Sequence, residues 1–266
     1  NLGDVSLRAL ETLNSVDQIA CEDTRVTKKL LKSFAIATRL TSYHEYNAKR
    51  NRPKLIAKML DGSALALVSD AGTPTICDPG YKLVRECIAN NIPITFLPGA
   101  SASLSGLVLS GLPTDRFYFH GYLAPKQKKR KQELYDLNTI PTTIVIYETS
   151  ERLMGALEDV LAVLGNREMA LARELTKLYE EIKRGRVEEI LKELYTNKKL
   201  KGEYVIVLGP KAAEVVVGDK ELSKILLNRM EDMSLKDAVL EVASLTKRSR
   251  QEIYKIALAV KKVKKG

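Results

Sequence analysis

Cysteine is scarce in this 266-residue chain: Cys21, Cys77 and Cys87 are the only three, and no two of them form a CxxC pair. An odd, scattered set of this kind argues against a disulfide frame or a cysteine zinc site and for a reducing compartment. Histidine is scarcer still, with only His44 and His120. His44-Glu45 has no second histidine at helical spacing, which excludes a zincin. No apolar run approaches the roughly 18 residues of a membrane-crossing helix. Asn1-Leu2-Gly3-Asp4 offers neither the basic start nor the apolar stretch of a signal peptide, so a cytoplasmic location without a membrane partner is expected. No G-x-G-x-x-G follows a strand and no Walker A lysine loop is present, which removes ordinary dinucleotide folds and Rossmann-type methyltransferases. Gly99-Ala100-Ser101-Ala102-Ser103 misses the G-x-S-x-G nucleophile elbow at its last position.

Positive charge, by contrast, is plentiful. The 43 Lys and Arg outnumber the 33 Asp and Glu, for a net charge of +10 and a pI near 9.3. Apolar residues at 45% suffice for a buried core, and 29% charged residues is normal for a folded surface, so general disorder is excluded. Position matters more than the total. Residues 219–266 hold twelve basic against seven acidic residues, and so carry +5 of the net charge. Lys126-Gln127-Lys128-Lys129-Arg130-Lys131 packs five positive charges into six positions. A single run of this kind reads as a solvated helix face. Two runs in one basic chain point to nucleic acid, whose phosphates release counterions on binding.

Strands and helices alternate along the chain. Leu7–Leu13 has helical spacing behind a Ser6 cap, Val16–Cys21 reads as a strand, and Thr27–Phe34 as a basic helix. Ala64–Ser69 is a continuous apolar run of strand length, as in a parallel strand covered on both faces. Tyr81–Ala89 is a helix, Ile94–Leu97 a further strand ended by Pro98-Gly99, and Ala100–Leu109 a small-residue helix. After a linker at Gly111–Asp115 come an aromatic strand at Phe117–Phe119, a helix to Leu137, a β-branched strand at Thr142–Tyr147, an amphipathic helix at Leu153–Leu164 closed by Gly165, and a strand at Glu203–Leu208. Two α/β domains are expected, 1–113 and 114–212. A basic helical tail over 219–266 follows, in which Ser234-x-x-Asp237 and Ser249-x-x-Glu252 open two helices joined at Lys247-Arg248, either helix-turn-helix-like or a plain hairpin.

Three sets of residues sit where strands end, the places where an α/β sheet presents ligands. In Ser69-Asp70-Ala71-Gly72-Thr73-Pro74, Gly72 permits close approach to the backbone and Pro74 stiffens the turn, with Asp78-Pro79-Gly80-Tyr81 opening the next helix. In Leu97–Ser103, small side chains leave room for a flat ring. Together these loops suit a small amphipathic cofactor better than a phosphate chain. The third set is charged: Glu22-Asp23-Thr24-Arg25, Tyr147-Glu148-Thr149-Ser150 and Ala172-Arg173-Glu174-Leu175-Thr176-Lys177. Here Glu22, Asp23 or Glu148 are placed to accept a proton, and Arg25, Arg173 and Lys177 to hold phosphate, unless they serve as salt bridges.

These motifs, with Gly111-Leu112-Pro113-Thr114-Asp115-Arg116-Phe117, occur in this order in the tetrapyrrole methylase-like (class III) methyltransferases. The chain resembles in particular the branch of that family acting on small-subunit ribosomal RNA. The resemblance spans nearly the whole chain, and Leu67–Gly80 is its most specific part. It implies two α/β domains of the tetrapyrrole methylase type with S-adenosyl-L-methionine in the cleft between them, a small C-terminal helical region, a homodimer, and 2'-O-methylation of a cytidine ribose without a metal. Family sequences carry an apolar strand and a glycine turn ahead of the position of Asn1, and that segment bears on activity. On this reading Asp70, Gly72, Thr73, Pro74, Ser101, Ala102, Glu148 and Thr176 contact the cofactor. Glu22 or Asp23 is the base, while Arg25, Lys177 and the cluster Lys126, Lys128, Lys129, Arg130 and Lys131 hold RNA, either free or in the assembled small subunit. Methylation of a tetrapyrrole and a non-catalytic RNA-binding assembly factor are the alternatives.

Overall fold

The computed structural model describes residues 1–196, 200–211, 219–246 and 248–263. They form two compact units, Asn1–Lys211 and Ala212–Gly266.

The first unit opens with α1 (Leu7–Ser15), whose Ser6 cap accepts the Ala9 amide at 3.2 Å. β1 (Gln18–Cys21), α2 (Thr24–Ser33), β2 (Leu40–Ser42), α3 (Glu45–Leu60), β3 (Leu65–Val68) and α4 (Tyr81–Ala89) follow. β1 lies between β2 and β3 and pairs with both in parallel, so all three strands end at the same edge. Neither β2 nor α3 was anticipated, because β2 is only three residues long and α3 is mostly polar with Pro53 inside it.

Two expectations fail here for one reason. Ile94–Leu97 is not a strand, and β3 is half-exposed rather than covered on both faces. Among the described residues β3 pairs only with β1, so no neighbour stands beside its other edge to complete a ladder. Composition supplies a tendency toward extended backbone, but a strand exists only when paired. Ile94 and Phe96 are left 50% and 62% exposed.

The second sheet is built from β4 (Phe117–Tyr122), β5 (Thr143–Thr149), β6 (Glu168–Arg173), β7 (Glu181–Arg186) and β8 (Glu203–Leu208), in the order β4-β5-β8-β6-β7. β4 and β5 are parallel, and the remaining pairings are antiparallel. One face carries the largest core, in which Ile144, Ile146, Leu171 and Ile206 meet Leu134 of α6 (Gln127–Leu137), Leu157 of α7 (Leu153–Leu164) and Ile190 of α8 (Val187–Thr196). The opposite face is covered by α5 (Ala102–Ser110), a helix expected to belong with the first sheet. Its Leu107 is buried among Val145, Ala170, Ala172, Val205 and Val207. Gly106 permits this seat, since a Cβ there would lie 2.8 Å from Val205 Cγ1.

The basic run at 126–131 is only partly a surface feature. α6 buries Arg130, Leu134 and Leu137, which are spaced i, i+4, i+7 on its inward face. The Arg130 Nε donates to Asp159 Oδ2 at 2.7 Å, and its other nitrogens reach the Pro125 and Gly155 carbonyls at 3.2 and 3.3 Å. Lys131 leans on the same carboxylate at 3.4 Å. Arg130 is therefore corrected from an RNA ligand to a core anchor, and Lys126, Lys128 and Lys129 remain exposed.

In the second unit α9 (Asp219–Asp232), α10 (Leu235–Thr246) and α11 (Arg250–Val263) enclose a core of Leu222, Leu226, Val239, Val242, Ile253 and Ala257. Both serine caps form: the Asp237 amide donates to Ser234 Oγ at 3.3 Å and the Glu252 amide to Ser249 Oγ at 3.2 Å. Lys247 of the expected junction and the basic end at Lys264 and Lys265 lie outside the described residues.

Replacing Asp159 by Ala strands the Arg130 charge in the α6–α7 interface, where side-chain exposure is only 9%. Loss of one member of a buried pair costs about 3–5 kcal/mol, whereas Lys128→Ala on the exposed side changes stability by less than about 0.5 kcal/mol. Urea unfolding of the two variants measures the difference.

Candidate active site

The parallel edge of the first sheet gathers the charged residues. Glu22 and Asp23 follow β1, Ser42 ends β2 with His44 just beyond it, and Asp70 follows β3. With Arg25 and Tyr46 they line a cavity of about 450 Å³. Asp70 closes one side, its Oδ1 accepting the Asp23 amide at 3.0 Å.

The two carboxylates that follow β1 sit in different electrostatic settings. Asp23 caps α2 and takes the Arg25 amide at 2.8 Å and the Arg25 guanidinium at 2.6–3.1 Å. These bonds hold its pKa down to about 2. A carboxylate so stabilised is a poor proton acceptor near neutral pH. Glu22 is raised instead, first by partial burial and then by the Asp70 and Asp23 charges, with His44 opposing. Asp78, deeper in the loop after β3, is lifted to about 6 by burial and by Glu22, against a hydrogen bond from Ser69, with Asp70 and Glu203 adding to the rise.

Beside this cavity the two small-residue loops meet. Thr73 Oγ1 donates to the Ala100 carbonyl at 3.2 Å. The backbone amides of Ala71, Gly72, Thr73, Gly99 and Ala100 have no acceptor among the described residues. Pro74 continues the first loop, while Ser101 caps α5 ahead of the exposed Ala102. The second half of the unit closes on these loops. Tyr147 Oη accepts the Ser103 amide at 2.9 Å, and Asn1 Nδ2 donates to the Thr176 carbonyl at 3.0 Å. A bulge in β4 places Gly121 so that a Cβ would lie 2.9 Å from Cys77 Sγ. Thr75, Cys77, Glu174 and Thr176 all take φ between 47° and 75°, a strain that side-chain-bearing residues accept mainly where surroundings enforce it, often at ligand sites.

Glu148 is a correction. Along β5 side chains alternate, so Glu148 shares the face of Ile144 and Ile146 and is 1% exposed, paired with Arg152 at 3.2 Å. Burial there raises its pKa. It cannot reach across the cleft; its neighbour Tyr147 does, within a cluster with Phe119 at 5.0 Å and Tyr122 at 5.7 Å between ring centres. Counting in twos from Val145 identifies Tyr147 from the sequence. Lys177 is also less available than expected, because its ammonium lies 3.0 Å from both Glu174 and Glu203. Arg173 donates to the Lys201 carbonyl at 2.8 Å, and Arg25 is bound to Asp23.

Family comparison agrees with this geometry. Residues 1–191 match the model of the Tetrapyrrole (Corrin/Porphyrin) Methylases, and residues 216–261 match the RsmI C-terminal HTH domain. The chain is 40% identical over 262 residues to Ribosomal RNA small subunit methyltransferase I of Mesorhizobium japonicum, covering 98% of this chain and 89% of that one. With the protein of the same name from Escherichia coli O157:H7 it shares 42% over 261 residues, covering 97% and 91%. The chain belongs to the ribosomal RNA small subunit methyltransferase I family. Uroporphyrin-III C-methyl transferase from Thermus thermophilus, solved with S-adenyl homocysteine, has the same fold at TM-score 0.53 and 19% identity, over 78% of this chain and 91% of that one. The family is one of S-adenosylmethionine-dependent methyltransferases. Five free amides on two facing small-residue loops fit the polar groups of such a cofactor.

The Asp78 setting carries a pH signature. Its folded pKa of about 6 lies above the ordinary 3.8, so between these values the folded state binds more protons and stability falls as pH rises. The cost is fully present above pH 6 and absent below about pH 4. Asp78→Asn therefore raises the thermal midpoint relative to the parent at pH 8 and leaves it unchanged at pH 4, as calorimetry at the two pH values will measure.

Proposed function

We propose that this chain transfers a methyl group from S-adenosylmethionine to the ribose 2'-oxygen of a cytidine in small-subunit (16S) ribosomal RNA, with Glu22 as the proton acceptor. The observation that carries the reading is the pair of settings after β1: a raised Glu22 and an Asp23 held at about 2, both on a cavity beside the cofactor-sized loops. The names of the curated relatives favour RNA over a tetrapyrrole as substrate.

When bound, S-adenosylmethionine supplies an electrophilic methyl group on its sulfonium. Asp70, Gly72, Thr73 and Pro74 from one loop, Ser101 and Ala102 from the other, and Thr176 from the second half hold it, with Tyr147 in place of Glu148. The protein's task is then to fix the 2'-hydroxyl in line and remove its proton. Glu22 does the latter, because partial burial beside Asp70 and Asp23 raises its proton affinity. Asp23 caps α2 and steers Arg25. Lys177, held between Glu174 and Glu203, orders the loop that carries Thr176. Lys126, Lys128 and Lys129 hold RNA phosphate at the periphery, the protein works as a homodimer in the cytoplasm, and the small subunit or its RNA is the partner.

Methyl transfer from labelled S-adenosylmethionine to small subunits lacking the modification tests these roles. Glu22→Gln lowers kcat by about 10²–10⁴-fold, the usual size of a general-base contribution. Asp23→Asn keeps the helix cap and stays within about tenfold of the parent. Parent activity falls as pH drops through the Glu22 pKa, and in Glu22→Gln this acid limb disappears. Equal losses in the two variants would remove Glu22 from the role.

A further inference from the structure

Tyr46 is 97% exposed, the most solvent-accessible large ring in the first unit, yet it lines the cavity that holds Glu22. An aromatic ring left in water at the mouth of a site has no folding role. Its only ring partner among the described residues is His44, 6.1 Å away in an edge-on arrangement, so one face of the ring is open. Four residues on is Arg50 and four further Lys54, both exposed, so the outward stripe of α3 reads aromatic, cation, cation.

α2 repeats the charge on the other face of the sheet, where its Leu31 packs with Ile19 and Leu40 while Leu55 and Ile56 of α3 pack with Ala20 and Tyr43. On α2 the buried positions are Thr27 and Leu31. At about 100° per residue, Arg25, Lys28, Lys29 and Lys32 fall within one arc of about 100° on the opposite side. All four are exposed. Lys28, Lys29, Lys32, Arg50 and Lys54 have no acidic partner among the described residues. Only Arg25 is engaged, by Asp23. The first turns of both helices contribute to the cavity, through Thr24 and Arg25 on one side and His44 and Tyr46 on the other.

We infer that Tyr46, with Arg50 beside it on α3, is a stacking platform for an unpaired base of the RNA substrate, and that the α2 cations Lys28, Lys29 and Lys32 hold phosphates where the same strand passes over the cavity edge to the other face of the sheet. The inference rests on the RNA reading above and deepens it by assigning a binding surface. Single-stranded RNA is gripped in this manner: an aromatic face takes a base of any sequence while a cationic groove follows the backbone. The surface borders Glu22, so a nucleotide stacked on Tyr46 places the ribose of a neighbour at the cavity. The free cations here outnumber those left in the 126–131 run once Arg130 and Lys131 are tied to Asp159.

The test uses the whole protein, small subunits lacking the modification, and a labelled single-stranded RNA copied from the modified segment. Tyr46→Ala weakens RNA binding and raises the KM for small subunits by about 5- to 100-fold, the loss of one stacked base. Tyr46→Phe keeps the ring and stays within about twofold of the parent. Replacing Lys28, Lys29 and Lys32 together by Ala reduces the slope of log affinity against log salt by about 2, at about 0.7 per phosphate contact on a single strand. Affinity for S-adenosylmethionine, read by calorimetry, is unchanged in every variant, which separates a lost RNA contact from a damaged fold. If Tyr46→Ala and the triple variant bind and methylate like the parent, the surface plays no part and the inference falls while the RNA reading stands. If the parent itself neither binds the RNA nor methylates small subunits, both fall together.

Discussion

The arrangement hangs on the seat of α5. This helix begins in the loop Pro98–Ser103, next to the first sheet, and ends on the second, with Leu107 buried against β5, β6 and β8 and Gly106 brought directly onto Val205. Its position determines where Ser101 caps and where the Ser103 amide meets Tyr147. The loop it carries then meets the loop after β3 through Thr73 and Ala100. A hydrophobic contact made on the far sheet thereby places free amides of the first half opposite an aromatic cluster of the second. A side chain at position 106 would have to push the helix off the sheet, and the cleft with it.

Charge at the site is sorted by geometry more than by residue type. Glu22 and Asp23 are adjacent and carry the same functional group. One continues toward the cavity among other carboxylates and gains proton affinity; the other turns back to cap a helix beside Arg25 and loses it. The same sorting acts on cations. Arg130 and Lys177 are held by carboxylates, whereas α2 turns Lys28, Lys29 and Lys32 into solvent together. Division of labour of this kind lets one acidic edge take a proton while a basic helix beside it attracts a polyanion.

Much of this was legible in the sequence, and what was missed has identifiable causes. The loops Ser69–Pro74 and Leu97–Ser103 declare themselves by glycine, proline and small residues, and the structure does bring them together. Both serine caps of the C-terminal helices form as the S-x-x-D/E pattern implies. Glu148 and Arg130 misled because a charge was read without its phase. Counting in twos from Ile144, or in fours from Arg130 to Leu134, turns each inward. Ile94–Leu97 failed for a cause no local pattern contains, since pairing is supplied by another strand. The α2 stripe was in plain view at positions 25, 28, 29 and 32, but it is spread over two turns and lacks the density of a contiguous run.

The account's central claim is that the cavity at the ends of β1, β2 and β3 presents a ribose hydroxyl to a methyl donor and takes its proton. Locating the transferred methyl group tests this most directly. Small subunits methylated with labelled donor are digested to nucleosides and analysed by mass spectrometry. The account predicts the label on the ribose of a cytidine, as 2'-O-methylcytidine. Label on a base nitrogen or carbon would contradict it, because an atom within the ring system needs neither the in-line hydroxyl nor a carboxylate in the setting of Glu22.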